Sequence, residues 1–421
     1  MEFRQQTLDN GLEIIAEINP AAYSASVGFF VRTGSRNETP DIAGTSHFLE
    51  HLVFKGTERC DAAEVNRRLD EMGADANAFT TEEQTVFFAS MLPELLEDTV
   101  ELFGEILRPS IAEADFDMEK LVILEEIKMY EDQPPFGVDD KSREIFYRGH
   151  PLAGSVLGTY ASVSRLTVHE IKAYLNRRYR PDNIVLVAAG RLDFDRLVRK
   201  AEAVCGRWEP SKKPLNDEGD WRHCQGKRGF FQLSKESATQ QYTMLLSDGP
   251  CCRDDERYAA GLLANILGDD SGSRLYWEMV DNGLADSAGL GTCEYFDNGV
   301  FVTGLISEPE QASEVLERTR KVYLDAKTTG LTQAELDRAK NKVLSRLVLA
   351  NERPGGRLFA VGGDWQVRRE YRTVRQDIET IGNITLREIH EILEKFPLDD
   401  PLIVTVGPLE ILENCFEKEF A

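Results

Sequence analysis

The sequence predicts an α+β fold made of two homologous α/β halves, each a mainly antiparallel sheet covered by helices. Three observations carry this expectation. Segments with a period of two alternate along the chain with segments of helical period. A chain of 421 residues is too long for one ordinary core. A polar stretch near the middle is followed by a second run whose order of elements resembles the first.

Leu12 to Ile18 and then Ser24 to Arg32 are rich in β-branched and aromatic residues and read as two strands of a hairpin entering a sheet. From Gly44 to Phe54, and again from Ala62 to Met72, apolar residues recur at helical spacing, whereas Asp75 to Leu92 alternates and is rich in Thr, Val and Phe. Pro93 sits where a helix over Glu94 to Leu107 can begin. A longer amphipathic run follows from about Ala114 to Glu131, and Pro134-Pro135 stops it. Asn183 to Gly190 reads as a buried strand. From Arg207 to Arg228 the composition shifts to Pro, Lys, Asp and Gly, as in a linker. Two domains are therefore expected at 1–210 and 229–421, joined by a linker over 211–228. The second half opens with a strand (Tyr242 to Leu246), a helix (Arg257 to Leu267), a Gly/Asp/Ser turn and another helix from Arg274.

Bulk properties narrow the function classes. Hydrophobic content of 42% with 29% charge is globular composition, and no stretch is long and apolar enough to span a bilayer. Met1 to Gln6 includes an acidic residue and leads into strand-like sequence without an apolar signal region, so export is not expected. The seven cysteines are scattered, odd in number and form no C-x-x-C pair, which fits a reducing cytoplasm. A formal charge of −24 repels nucleic acid and anionic lipid and favours cationic ligands, basic peptides among them.

The chemistry concentrates in His47-Phe48-Leu49-Glu50-His51. Two histidines four apart on a helix present both imidazoles on one face, as a catalytic Zn2+ site requires of its protein ligands. Glu50 lies close to the same face, where its carboxylate can take a proton from a metal-activated water, and it is the candidate general base. Only six histidines occur in the chain, and two of them fall within this pentapeptide. H-x-x-E-H is the inverzincin signature. A third ligand is expected from the acidic helix Glu119-Lys120-Leu121-Val122-Ile123-Leu124-Glu125-Glu126-Ile127. Glu119 and Glu126 are two helical turns apart and share a face, so Glu126 would ligate and Glu119 would orient a histidine or support the water. Glu125 is the rival ligand on spacing alone.

The segment Ala43-Gly44-Thr45-Ser46-His47-Phe48-Leu49-Glu50-His51-Leu52-Val53-Phe54-Lys55-Gly56-Thr57 resembles the pitrilysin-type inverzincin metallopeptidases, and within them the mitochondrial-processing-peptidase-like subgroup. Asp75-Ala76-Asn77-Ala78-Phe79-Thr80, Leu124-Glu125-Glu126-Ile127, Gly158-Thr159 and Tyr179-Arg180-Pro181-Asp182-Asn183 extend the resemblance over essentially the whole chain. It implies a zinc endopeptidase and favours Glu126 over Glu125. It also implies that two such chains close around a peptide chamber, and that Asn77 and Ala78 lie on the strand whose edge receives substrate backbone.

One departure stands out. Related single chains carry an Arg and a Tyr seven apart in the second half, contacting the substrate carbonyl. Here the matching positions are Met279 and Asp286, which cannot donate to an oxyanion at neutral pH. The resemblance thus implies the zinc-bearing subunit of a heterodimer whose zinc-less sister holds the Arg/Tyr pair. A homodimer using Arg274 or Tyr276 is the other arrangement. The competing function is a non-catalytic structural or assembly subunit of the same fold. Aligning Lys55-Gly56 with Leu267-Gly268 places Ala259, Leu262 and Leu263 opposite His47, Glu50 and His51, so the second half is expected to have lost every polar group there, leaving one catalytic half.

Overall fold

The computed structural model describes residues 1–210, 223–409, 412 and 415–417. The first sheet comprises β1 (Glu2–Thr7), β2 (Glu13–Ile18), β3 (Ala25–Val31), β4 (Asp75–Thr80), β5 (Thr85–Met91) and β6 (Ile184–Gly190), in the order β1-β2-β6-β3-β5-β4. The second comprises β7 (Gly229–Ser234), β8 (Gln241–Gly249), β9 (Ser287–Glu294), β10 (Gly299–Ser307) and β11 (Leu402–Gly407), in the order β7-β11-β8-β10-β9. All pairings are antiparallel except β2 with β6 and β7 with β11. With β1 set aside, the two sheets share one topology, each ending in an edge strand, β4 or β9. The expected α+β architecture of two homologous halves is what the structure shows.

The opening hairpin is not the one expected. The residues around 12–18 and 24–32 do form strands, but β6 inserts between β2 and β3 and pairs with both. The true hairpin is β1 with β2. Sequence adjacency favours neighbours in a sheet, yet a strand from 170 residues later supplies a seven-residue fully buried run that satisfies both edges. In the second half the helix expected from Arg274 shrinks to a π-helical turn, Tyr276–Val280.

The chain divides into two compact units that do not follow a single cut. One contains Met1–Lys128, Gly154–Asp220 and Val348–Arg372; the other contains Met129–Ala153, Trp221–Leu347 and Thr373–Ala421. Relative to contiguous ranges 1–210 and 229–421, each half lends the other a segment. Of the linker expected over 211–228, residues 211–222 lie outside the described residues. The helix Pro354–Arg368 covers one face of the first sheet, packing Leu358 and Val361 on Ile15, Phe30, Val86, Val185 and Val187. Gly362 allows this approach: a Cβ there would meet the Phe30 ring at 2.6 Å. Within the other unit, the helix Val138–Phe146 packs Val138, Ile145 and Phe146 on Tyr242, Leu246, Leu402 and Val404. Because both faces of each sheet are covered, β3, β6 and β11 are buried along their whole length.

The lent helix Pro354–Arg368 is anchored by charge as well as area. Arg357 donates Nε to Glu17 Oε1 at 2.8 Å and an Nη2 proton to Glu17 Oε2 at 2.6 Å. Tyr371 donates its hydroxyl to the same Oε2 at 2.8 Å. Glu17 and Arg357 are 2% and 3% exposed. Such a pair persists only because a bidentate fork and added hydrogen bonds offset the loss of hydration.

Candidate metal centre

The helix Thr45–Val53 carries the pentapeptide, and its start is built by a residue outside it. Gly44 at the N-cap adopts φ +92° and has no side chain to cap the first turn. Glu38 does so instead, accepting from Gly44 N at 2.6 Å and Ser46 N at 2.5 Å. Burial pushes the Glu38 carboxyl up to about 7, against hydrogen bonds from Ser46, Gly44 and Thr45 that pull it down. Ser46 Oγ lies 2.7 Å from Tyr174 Oη, which lies 2.8 Å from Thr33 Oγ1; Arg178 Nε donates to Thr33 Oγ1 at 2.9 Å. This buried polar chain ties the helix to Thr33, just after β3, and to the helix Val168–Arg178. A side chain at position 44 would collide with Leu157 O at 2.7 Å, so glycine is required twice over.

On this helix His47 is 9% exposed and His51 half-buried, with ring centroids 4.7 Å apart. The helix Glu113–Asp132 brings Glu126 opposite them: its Oε2 is 3.9 Å from His47 Nε2 and 4.0 Å from His51 Nε2. These separations exceed hydrogen-bond length and lie somewhat above the ~3.3 Å between tetrahedral ligands on bonds of about 2.0–2.1 Å. Among the described residues this is the one group of three or more His, Cys, Asp or Glu side chains whose donor atoms converge enough to hold a metal ion. Burial first, and the neighbouring His51 second, lowers His47 to about 4, so its imidazole is neutral near pH 7 with a lone pair to offer. Burial raises the Glu126 carboxyl, which His51 partly offsets. The donor chemistry, two imidazoles and a carboxylate, fits zinc.

The surrounding groups orient this set. Glu119 is 4% exposed; its Oε2 lies 3.0 Å from His51 Nδ1 and its Oε1 accepts from Lys55 Nζ at 2.6 Å. Burial would raise the Glu119 carboxyl, but the hydrogen bonds from Lys55 and His51 outweigh it and hold the pKa below the usual value. Glu125 points elsewhere: its side chain is 72% exposed and pairs with Lys128 at 2.6 Å. Glu50 Oε2 accepts from Thr80 Oγ1 at 2.6 Å. Burial raises the Glu50 carboxyl, against the Thr80 hydrogen bond and the charge of His51. Asn77 and Ala78 sit on β4, the edge strand, opposite Phe88 and Phe87 of β5. Lys55, Thr80 and Glu38 escaped the residue-by-residue reading, although Lys55 and Thr80 lie inside motif segments. We expect Glu119→Gln to weaken zinc affinity about 10–100-fold, read by competition with a chromogenic chelator; unchanged affinity would remove Glu119 from the metal centre.

Among its described residues the second unit offers no equivalent. Ala259, Leu262 and Leu263 are buried in its core. The face of that helix bordering a cleft of about 630 Å³ instead carries Arg257, Gly261 and Asn265, and Asp269, Glu294 and Arg346 also line the cleft. That face has therefore kept polar groups, contrary to the alignment, but not a histidine. Met279 is fully buried, and Asp286 accepts from Gln240. Arg274 is committed to Glu335 at 2.7 Å and to Gly330 O at 2.9 Å.

Fold and geometry thus define a two-unit α/β protein with, among the described residues, one candidate zinc centre, in the first unit. Residues 13–160 match the model of insulinase (peptidase family M16), and residues 165–343 match that of the peptidase M16 inactive domain. An uncharacterised zinc protease of Streptomyces coelicolor is 31% identical over 413 residues, covering 97% of this chain and 90% of its own. Another, YmxG of Bacillus subtilis, is 28% identical over 408 residues, covering 96% and 98%. The chain belongs to peptidase family M16. A protease from Helicobacter pylori has the same fold, with a TM-score of 0.90 at 20% identity over 97% of this chain and 99% of that one. So does a chain of complex III2 from Candida albicans, with a TM-score of 0.83 at 19% identity over 98% and 97%. Among the described residues no helix is long and apolar enough to cross a membrane.

Proposed function

We propose that the chain is a zinc endopeptidase of the mitochondrial-processing-peptidase-like subgroup, with His47, His51 and Glu126 holding the ion and Glu50 as general base. The observation that carries this is the convergence of two imidazole Nε2 atoms and one carboxylate oxygen beside a base on the same helix. Zinc, when bound, supplies Lewis acidity towards the scissile carbonyl and lowers the pKa of water. Glu50 takes a proton from the attacking water and returns it to the departing amide nitrogen, and its burial favours the protonated form it must briefly hold. Glu119, held by Lys55, fixes the orientation of His51. An extended peptide adds to β4 beside Asn77 and Ala78, so main chain is read more than side chains. The charge of −24 favours basic peptides.

In this reading residues 1–210 form the zinc-bearing domain and 229–421 a non-catalytic one, and the enzyme works in a cytoplasm. Carbonyl stabilisation falls to a homologous partner chain. The burial of Met279 and the commitment of Arg274 to Glu335 favour a heterodimer with a zinc-less sister over a homodimer drawing on Arg274. The test measures zinc content and cleavage of a quenched basic peptide, with and without a metal chelator and with and without a zinc-less homologue. One zinc per chain, activity lost on chelation and restored by zinc, and turnover raised by the homologue are expected. Zinc-free protein inactive in every mixture would leave a structural subunit as the function.

A further inference from the structure

We propose that Thr80 is a positioning residue that selects which oxygen of Glu50 carries the proton; this rests on the reading of Glu50 as the base. Thr80 closes β4 and faces Thr85 across the β4–β5 ladder. Its Oγ1 is 2.6 Å from Glu50 Oε2 and 3.4 Å from Thr85 Oγ1. A hydroxyl has one proton to give. Thr85 donates its own to Thr33 O at 3.0 Å, so it cannot supply Thr80. Thr80's proton therefore goes to the shorter, charge-assisted contact with Glu50.

Two consequences follow for the carboxylate. Oε2 is occupied, and Oε1 makes no hydrogen bond among the described residues. Oε1 is thus the oxygen free to accept a proton from water and release it to a leaving group. The second consequence concerns the side-chain torsions. Glu50 is half-buried in the second turn of its helix, and a single donor at one oxygen fixes the plane of the carboxyl group relative to the His47 and His51 face. Without Thr80, either oxygen serves and the group rotates, so the productive geometry becomes one of several. Thr80 comes from a strand rather than from the metal-binding helices, so its effect is separable from metal binding.

Thr80→Val keeps the shape and strand preference but loses the donor; Thr80→Ser keeps the donor. Both are compared with wild type as zinc-loaded full chain with its partner, on a quenched peptide. Thr80→Val is expected to lower kcat about ten- to a hundredfold, the loss corresponding to one charge-assisted hydrogen bond. KM, zinc content and melting temperature should match wild type, and Thr80→Ser should restore kcat. A wild-type kcat in Thr80→Val overturns the proposal. So does a Thr80→Ser variant that falls with Thr80→Val while both melt earlier, because Thr80 would then serve only the strand. An active Glu50→Gln enzyme defeats the parent reading instead, whereas an inactive one beside a fully active Thr80→Val defeats this inference alone.

Discussion

Glu50→Gln should lose on the order of 10³-fold in kcat while still holding one zinc per chain. The substitution preserves length and volume, and the amide oxygen can still accept from Thr80 as Oε2 does now. It removes the ability to take a proton, and among the described residues no uncommitted carboxylate of the site replaces it. The other carboxylates of the site are committed: Glu119 to His51 and Lys55, and Glu126 to the converging set opposite the two histidines. His51→Ala would lose activity for a different reason, by losing metal. Metal analysis alongside single-turnover cleavage therefore separates the two roles. More than a tenth of wild-type kcat in a zinc-replete Glu50→Gln enzyme would mean the base lies elsewhere.

Arg357→Ala is expected to cost about 3–5 kcal/mol of stability, the range for removing one partner of a buried ion pair. The loss is large because Glu17 stays behind at 2% exposure with, among the described residues, only Tyr371 to hold it. Arg357→Lys should recover little, since an ammonium cannot form the two parallel bonds that Glu17 accepts. Urea denaturation of the metal-loaded protein, followed by near-UV dichroism for the first unit, reads the change. A loss below about 1 kcal/mol, the size expected of a solvent-screened pair, would show that the helix Pro354–Arg368 is held by its apolar face alone.

Local pattern made much of this fold legible. The helix from Ala62 to Met72 has the boundaries that its periodicity implies, and the acidic helix extends only one residue further at each end than 114–131. The alternation from Asp75 to Leu92 is the β4–β5 hairpin. What escaped was non-local. Pro354-Gly355-Gly356 reads as a breaker signal, yet Pro is tolerated in a first turn and the helix is paid for by packing on a sheet far away in sequence. The insertion of β6 between β2 and β3 leaves no mark in either strand. At the candidate site, His47, His51, Glu50 and Glu126 stand out because metal chemistry imposes residue type and spacing. Thr80 and Glu38 do not, because one hydroxyl or one carboxylate has no period. Their roles exist only once the loop before the helix and the end of β4 have been brought to it.

The exchange of Val138–Phe146 and Pro354–Arg368 bears on how such a protein can change over evolutionary time. A gene built of two similar halves invites recombination between them, or replacement of one half by that of a relative. Here each half carries the lid for the other's sheet, so a transplanted half must match a foreign partner at Phe30, Gly362 and Glu17 on one side and at Phe146 and Leu402 on the other. Inheritance of the two halves is thereby coupled. The half that carries the converging histidines and Glu126 takes the cover of its sheet from the other half, so neither can be dropped alone.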